Sequence, residues 1–165
     1  MRKMLFRGFT PEENGSDKVY INGEWIKGQW VKGNYMSIDK TTYCFKEDYD
    51  KHPDNTEHYI IFDQMTDWGL PNRHLQADVI PETVGQYTGL PDKNGKKVFE
   101  GDIVRVLLSG KPQPVGVVKY AATGICGFVA ITEPPYSNYI LDKQENFEVI
   151  GNIYDKPEYG EEGSK

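Results

Sequence analysis

The stretch that decides the fold is PETVGQYTGLPDKNGKKVFEGDIVRV, residues 81–106. Four glycines and two prolines interrupt it, and Asn94-Gly95 lies near its middle. A phosphate-binding loop needs a glycine, four residues and then Gly-Lys-Ser/Thr, but Leu90 and Lys97 occupy the two ends of that pattern. No helix is predicted after the glycines, as a dinucleotide site would require. The stretch therefore predicts turns that frame β-hairpins and not an anion-binding loop.

The residues around this stretch continue the same pattern of short β-type runs between turns. Gly151 in the last run predicts a bulge or sharp bend, and Pro134-Pro135 excludes a central strand at that point. Runs at this spacing predict a small barrel. The predicted runs are 84–90, 97–99, 103–108, 115–120, 128–132 and 147–154.

The N-terminal half carries weaker β signals. Asn22-Gly23 favours a type I′ turn and predicts a tight hairpin, with Trp25 and Trp30 packing as large core or cross-strand residues. Further strands are predicted at 41–45 and 59–62, separated by a polar loop at 46–58. Residues 64–78 predict no more than a short helical turn, because Gly69-Leu70-Pro71-Asn72 breaks any longer helix.

A change of composition near Pro81 predicts the domain organisation. We expect an N-terminal β-rich part at 1–80, a barrel at 81–157 and a disordered acidic tail at 158–165. Each half has about 80 residues, a size at which a single hydrophobic core is marginal. The two halves are therefore expected to pack together, exchange strands or form a homo-oligomer.

The composition of the 165-residue chain limits its class. A net charge of −6 argues against indiscriminate binding to nucleic acid or membranes, and no apolar run approaches the roughly 18 residues of a membrane span. The charged start predicts no signal peptide, so we expect a cytoplasmic protein. Cys44 and Cys126 form no CxxC motif and are expected to be reduced, partly buried thiols.

The segment 93–119 is basic, although the chain as a whole is acidic. Six basic residues against two acidic ones give it a charge of +4. Beside Tyr87, Phe99 and Tyr120 they are a candidate surface for nucleic acid or a partner protein. The alternative is that lysines keep turns and edge strands soluble. The six residues are Lys93, Lys96, Lys97, Arg105, Lys111 and Lys119.

Other candidate sites have simpler explanations. His52 and His58 flank an acidic loop that suggests a divalent ion, but Pro53 stands where an EF-hand would need glycine. His74 is expected at the surface. Asp102 follows Gly101 and is expected to fix the turn by accepting hydrogen bonds from nearby amides. The sequence assigns no catalytic residue, no metal ligand and no cofactor.

Several blocks of this sequence resemble the YopX family of phage and prophage proteins. The blocks are LFRG at 5–8, NGEWIKGQWV at 22–31, the stretch 81–106, GVVKY at 116–120 and EVIGNIYDKPE at 148–158. The resemblance implies a phage or prophage protein in the cytoplasm of a bacterial host. It also implies an all-β fold with a C-terminal SH3-like barrel and an N-terminal β-rich part, with strand exchange between subunits. It brings no agreed activity and no catalytic residues.

Three functions remain open from the sequence. The first is a non-enzymatic interaction or assembly module that binds copies of itself or another phage or host protein. The alternative is a nucleic-acid-binding accessory protein in phage replication or regulation. The third is a metal-dependent enzyme that uses the acidic loop around His52 and His58, although no hydrolase signature such as Gly-x-Ser-x-Gly is present.

Overall fold

The computed structural model describes residues 4–11, 20–21, 24–25, 28–39, 45–51, 56–65, 70, 72–107, 114–122, 126–135, 137–143 and 146–155. The backbone divides into an N-terminal unit, Met4–Val84, and a C-terminal unit that begins at Gly85. The predicted acidic tail at 158–165 lies outside the described residues. Strands dominate both units, so the predicted all-β class is confirmed.

The N-terminal unit is an antiparallel sheet with strand order β6-β5-β4-β1 and a separate hairpin, β2–β3. The pairing of Phe9 with Trp30 and of Tyr35 with Ile60 sets its register. The elements are β1 (Phe6–Phe9), β2 (Tyr20–Ile21), β3 (Glu24–Trp25), β4 (Trp30–Asp39), α1 (Lys46–Lys51), β5 (Thr56–Gln64), β6 (Arg73–Asp78) and a 3-10 turn (Pro81–Thr83).

The core of this unit is small. Val31, Ile60, Ala77 and Val79 are buried, and half-buried aromatic side chains such as Tyr35 complete it. Strands β4 and β5 approach so closely at Gly33 that a Cβ at this position would collide with the carbonyl oxygen of Ile61. The sheet therefore depends on a few fully buried aliphatic side chains.

The predicted N-terminal hairpin is confirmed by the pairing of Tyr20 with Trp25 across β2 and β3. Its turn residues and the side chain of Trp25 lie outside what the structure describes. Trp30 packs as predicted, with its ring 5.3 Å from that of Phe9 and 4.7 Å from the guanidinium carbon of Arg7. Most of the strand predicted at 41–45 lies outside the described residues.

Two N-terminal predictions are wrong. The predicted loop 46–58 contains α1, where acidic residues in the first turn and Lys51 in the last complement the helix dipole. Its end belongs to β5, which begins at Thr56. The segment 64–78 contains strand β6 and not a helical turn alone. The β6 residues have no strong β propensity, but pairing with β5 satisfies their backbone and places Leu75 and Ala77 toward the core.

The C-terminal unit contains a hairpin and a five-stranded antiparallel sheet. The elements are β7 (Gly85–Pro91), β8 (Lys97–Phe99), β9 (Asp102–Val106), β10 (Val115–Ala121), β11 (Gly127–Thr132), β12 (Tyr139–Ile140) and β13 (Phe147–Asn152). Strands β7 and β8 form the hairpin, and the sheet order is β12-β11-β10-β9-β13. Each predicted run overlaps a strand, but the last strand ends at Asn152 and not at residue 154, and residue 108 is not described. A register shift between Val149 and Gly151 confirms the predicted bulge.

The predicted SH3-like barrel is not closed in the part of the chain that the structure describes. Strands β12 and β13 lie at opposite edges of the sheet and do not pair with each other. The physical reason lies at the edges, because β12 has only two residues and the bulge interrupts the ladder of β13. The five strands form an open sheet.

One face of this sheet and the β7–β8 hairpin enclose the larger core. Val104, Val118 and Ala130 are fully inaccessible. Full burial of each large aliphatic or aromatic side chain contributes roughly 1.5–3 kcal/mol, so this cluster dominates the stability of the unit. Its members are Val98, Val104, Val106, Val118, Phe128, Ala130, Leu141, Phe147 and Val149.

Candidate functional site

The turn between β7 and β8 is organised around the carboxylate of Asp92. Asp92 is buried, and its Oδ1 accepts hydrogen bonds from the amides of Asn94 at 2.8 Å and Lys96 at 2.9 Å. Gly95 adopts φ +82°, and its amide donates to the Asp92 carbonyl at 3.0 Å. The amides of Asn94 and Lys96 already bind a carboxylate of the protein itself. The turn predicted from Asn94-Gly95 therefore has the geometry of a structural hairpin turn and not of an anion-binding loop.

The second oxygen of Asp92 connects this turn to the end of the chain. Its Oδ2 accepts a hydrogen bond of 3.0 Å from the amide of Val149 on β13. Burial raises the pKa of Asp92, but the three amide hydrogen bonds together outweigh burial. The pKa therefore lies below its ordinary value of 3.8, and the ionised carboxylate holds the hairpin against the sheet.

A second buried carboxylate, Asp102, holds the next turn. Its Oδ2 accepts from the amide of Phe99 at 2.7 Å, and its Oδ1 accepts from Nδ2 of Asn152 at 3.3 Å. Gly101, just before it, has φ +83°. The predicted structural role of Asp102 is confirmed. The sequence does not predict the equivalent role of Asp92, because its partner Val149 is distant in the chain and has no local signal.

Two of the six predicted basic residues meet at one carboxylate. Lys93 Nζ lies 3.1 Å and Arg105 Nη1 lies 3.3 Å from Oε2 of Glu148 on β13. The hydrogen bond from Lys93 lowers the pKa of Glu148 below its ordinary value of 4.5, and the charge of Arg105 lowers it further. Part of the basic charge counted in the sequence is therefore offset by an acidic residue 43 positions beyond Arg105.

The remaining basic residues do not join this cluster. Lys96 and Lys97 are exposed at the β7–β8 turn, and Lys119 is exposed on β10. Lys111 lies outside the described residues. The structure thus brings Lys93 and Arg105 together and leaves the other three described residues on the surface.

The aromatic residues expected beside them are divided between core and surface. Phe99 is 1% exposed and packs against Tyr87 with ring centroids 5.5 Å apart, so the prediction that Phe99 lines a surface is wrong. It lies on the face of β8 opposite the adjacent Val98, which belongs to the core cluster. Tyr120 is 50% exposed and is the aromatic residue next to Lys119 that a ligand can reach.

The sheet face opposite the core carries an apolar surface that the sequence did not predict. We call it the outer face, defined by Arg105, Val115, Val117, Lys119, Ile131 and Ile140. Val129 pairs with Lys119 and Ile140 on the same face but is buried, so the exposed apolar side chains lie around it. Cross-strand pairs place Val117 opposite Ile131 and Val115 opposite Arg105. Val115, Ile131 and Ile140 are 45%, 42% and 51% exposed. The run Val115-Gly-Val-Val is apolar throughout, so alternation could not show which side chains face outward.

The described histidines lie in separate contacts. His58 lies on β5 and its Nδ1 is 2.6 Å from the hydroxyl of Tyr35, while His52 and Asp54 lie outside the described residues. His74 is at the surface, as predicted, with Nδ1 2.7 Å from Oδ1 of Asp63. Among the residues that the structure describes, no three His, Cys, Asp or Glu side chains are grouped as metal ligands.

Two further predictions can be compared with the described residues. Cys126 is exposed, so the expected partial burial of this thiol is wrong. It lies at φ +50° in the turn before β11, outside the core cluster, and Cys44 is not among the described residues. No helix within the described ranges is long and apolar enough to cross a bilayer.

Comparisons with known proteins give a family match and similarity to solved structures. The family model described as "YopX protein" matches residues 6–159. None of the curated proteins matches this chain. The crystal structure of protein EF1440 from Enterococcus faecalis aligns with 96% of this chain and 98% of its own, with 17% sequence identity and a TM-score of 0.43. The family match spans both structural units.

Proposed function

This chain belongs to the YopX protein family, and from that premise we propose that it is a non-enzymatic interaction module encoded by a phage or prophage. It acts in the cytoplasm of the bacterial host by binding another protein and by assembling with copies of itself. The phage origin and the location rest on the sequence blocks that resemble the family. The binding role rests on the geometry of the C-terminal sheet.

The observation that carries the proposal is the apolar centre of the outer face. Val115, Ile131 and Ile140 lie on three adjacent strands, and each exposes at least two-fifths of its surface. Exposed apolar side chains grouped on one sheet face, with polar residues at the margin, are typical of a protein interaction site. Arg105 and Lys119 supply such a margin along β9 and β10.

The polar groups of the C-terminal unit support a binding role and not a catalytic one. The carboxylate oxygens of Asp92 and Asp102 accept hydrogen bonds that hold turns, and Glu148 pairs with two cations. A general acid or base must instead direct its titratable atom at a substrate. The apolar outer face carries no such requirement, because shape and burial provide the binding energy.

The experiment compares partner capture by three forms of the protein in lysates of bacteria after phage infection or prophage induction. The wild type is expected to retain a stoichiometric protein partner, and the double variant Ile131→Lys/Ile140→Lys is expected to lose it. Ile153→Lys is the matched control, because Ile153 is 43% exposed in the same unit but follows β13. Equal capture by all three forms would reject the outer face, and capture of nothing by the wild type would reject the module.

A second candidate function is nucleic-acid binding, favoured by the exposed Lys96 and Lys97 at the β7–β8 turn and by the exposed Lys119 and half-exposed Tyr120 on β10. Cations bind phosphates and an exposed aromatic ring stacks on bases. Fluorescence anisotropy with single- and double-stranded oligonucleotides at low and high salt tests this function. If it is correct, Lys96→Glu/Lys97→Glu weakens binding and reduces its salt dependence by about two phosphate contacts.

The matched control for this second test is Lys143→Glu, which changes an exposed lysine elsewhere in the same unit. Unchanged binding by Lys143→Glu together with weak binding by Lys96→Glu/Lys97→Glu would support the nucleic-acid function. No binding at low salt, or the same loss in both variants, would reject a site at the β7–β8 turn.

A further inference from the structure

Among the described residues, the edge of the N-terminal sheet formed by β6 is neither shortened nor interrupted, in contrast to the C-terminal edges. Strand β12 has two residues, and β13 is interrupted by its bulge. Strand β6 instead pairs with β5 in unbroken register over all six residues, Arg73–Asp78, and contains no proline. Short strands, bulges and prolines are the usual devices that stop an edge from pairing with another strand.

The direction of the β6 peptide groups follows from one hydrogen bond. The amide of Val79 donates to the carbonyl of His58 at 2.9 Å, so this opposed pair is hydrogen-bonded. In an antiparallel ladder such pairs alternate with pairs that are not bonded to each other. Ala77 and Leu75 therefore bond to β5, whereas the peptide groups of Gln76 and His74 point to the open edge.

The side chains of β6 complete a self-complementary pattern. Two identical antiparallel strands related by a two-fold axis must oppose residues that point to the same face of the sheet. Pairing centred on Gln76 meets this requirement and uses the outward peptide groups. It places His74 opposite Asp78 of the second copy, and Leu75 opposite the second copy's Ala77 on the core side.

His74 is suited to a contact across this axis. Its side chain is 77% exposed, and Nδ1 is already bonded to Asp63 at 2.7 Å. The second ring nitrogen, Nε2, is the atom that a further carboxylate would contact. Asp78 already has an interaction within its own chain, so the imidazole of the second copy would be an additional contact.

We propose that two copies of this chain pair antiparallel through β6, with Gln76 opposite Gln76 on the two-fold axis and His74 opposite Asp78 of the second copy. The sheet of each N-terminal unit then continues into that of the other, as in β-strand addition. This proposal deepens the assembly role in the proposed function by naming its surface. It does not use the outer face, so the two can fail separately.

Disulfide cross-linking tests the register. In a Cys44→Ser/Cys126→Ser background, Gln76→Cys places two thiols on a hydrogen-bonded pair whose Cα atoms are about 5.5 Å apart, within the range of a disulfide. We expect a cross-linked dimer under mild oxidation, formed at least tenfold faster than with Arg73→Cys. Arg73 is equally exposed on β6, but it would lie opposite Val79 of the second copy. Equal rates for the two variants would overturn the register.

Sedimentation measurements test the dimer itself. The wild type and Gln76→Ala are expected to form dimers, whereas Gln76→Pro is expected to be monomeric with an unchanged far-ultraviolet spectrum. Proline at this position removes an outward N–H and no bond to β5. A monomeric wild type at every concentration, or a Gln76→Pro protein that remains dimeric, would overturn the proposal.

A combined variant separates this proposal from the outer-face hypothesis. Ile131→Lys/Ile140→Lys carrying Gln76→Cys is expected to cross-link at the same rate as Gln76→Cys alone. Retained cross-linking with lost partner capture would support both proposals. A fall in the cross-linking rate would instead place the contact between copies on the outer face and overturn the pairing through β6.

Discussion

Aspartate side chains form hydrogen bonds in both units, but these bonds are buried in the C-terminal unit and exposed in the N-terminal unit. In the C-terminal unit, buried Asp92 and Asp102 accept backbone hydrogen bonds that hold the turns. In the N-terminal unit, Asp39 accepts a 2.7 Å hydrogen bond from Thr56, and Asp63 contacts His74, both at the surface. A hydrogen bond to a buried carboxylate cannot be replaced by water once it is lost, whereas a surface bond can.

The hydrophobic core is also larger in the C-terminal unit than in the N-terminal unit. The C-terminal cluster contains buried residues from β8, β9, β10, β11 and β13, so its apolar surface is distributed over five strands. The N-terminal cluster relies on four buried residues, of which Ile60 is fully inaccessible, and on half-buried residues around them. Stability in the N-terminal unit should therefore depend on single aliphatic side chains, and in the C-terminal unit on the carboxylates as well.

The largest effect is expected for Asp92→Ala. Removing the buried carboxylate leaves three amides without their acceptor, and that of Val149 is buried, which costs roughly 3–5 kcal/mol of unfolding free energy. Urea denaturation followed by far-ultraviolet circular dichroism measures this change, because all three tryptophans lie in the N-terminal half. Asp155→Ala, at an exposed position of the same unit, should stay within about 0.5 kcal/mol of the wild type. A similar small loss for Asp92→Ala would show that the carboxylate does not hold the turn.

The same carboxylate predicts a pH dependence. Because the folded pKa of Asp92 lies below 3.8, its contribution to stability is complete above the unfolded pKa and is lost as pH falls through the folded pKa. Asp92→Asn should remove this contribution at neutral pH. The difference in unfolding free energy between wild type and Asp92→Asn should therefore shrink as pH is lowered below about 4. A constant difference down to pH 2 would contradict the ionised state of Asp92.

Ile60→Ala measures how far the N-terminal unit depends on one side chain. Ile60 is fully inaccessible, and truncation of a buried isoleucine costs about 2–5 kcal/mol. Ile38→Ala is the control, because Ile38 is 40% exposed on β4 of the same unit and should change stability by less than about 1 kcal/mol. Equal losses in the two variants would show that this sheet is not organised around a buried centre. Chemical denaturation provides both values.

Gly95→Ala isolates the backbone of the Asp92 turn. Nothing lies within 4 Å of a Cβ at this position, so only the φ of +82° opposes the new side chain. The strain should cost about 1 kcal/mol, and Gly95→Asn should cost less because asparagine tolerates this region. Thermal unfolding of both variants tests the order. A stabilised Gly95→Ala protein would mean that the turn does not keep its left-handed residue.

The smallest effect is expected for Asp39→Ala. Its hydrogen bond with Thr56 is exposed to solvent, so water replaces the lost acceptor and stability should change by at most about 0.5 kcal/mol. The same urea titration used for Asp92→Ala gives the value. A loss approaching that of Asp92→Ala would remove the contrast between the two units.

The sequence predicted most of the C-terminal strands because their signals are local. Asn94-Gly95, Gly101-Asp102 and Gly151 each mark a turn or bulge through their own backbone preferences, and apolar runs lie between them. The same reasoning failed for β6 and α1. The residues of β6 have no strong β preference, and α1 has only six residues, so its helical signal was too short to identify.

The candidate site was predicted only in part. The exposed Lys96, Lys97 and Lys119 were identified from charge, but the pairing of Lys93 and Arg105 with Glu148 was not. The outer face was missed because Val115 to Val118 gives no alternation. Contacts between positions far apart in the chain have no signature in either local sequence.

The sequence alone determined the all-β class and the positions of the C-terminal turns, because both depend on local backbone preference. It also determined the family, which is recognised from short blocks of residues. Only the tertiary structure decided that the C-terminal sheet is open, that Phe99 is buried and that Asp92 binds the amide of Val149, 57 positions away. The physical reason is that burial and long-range hydrogen bonding depend on which strands become neighbours. That choice is made by the packing of the whole unit and not by any one segment.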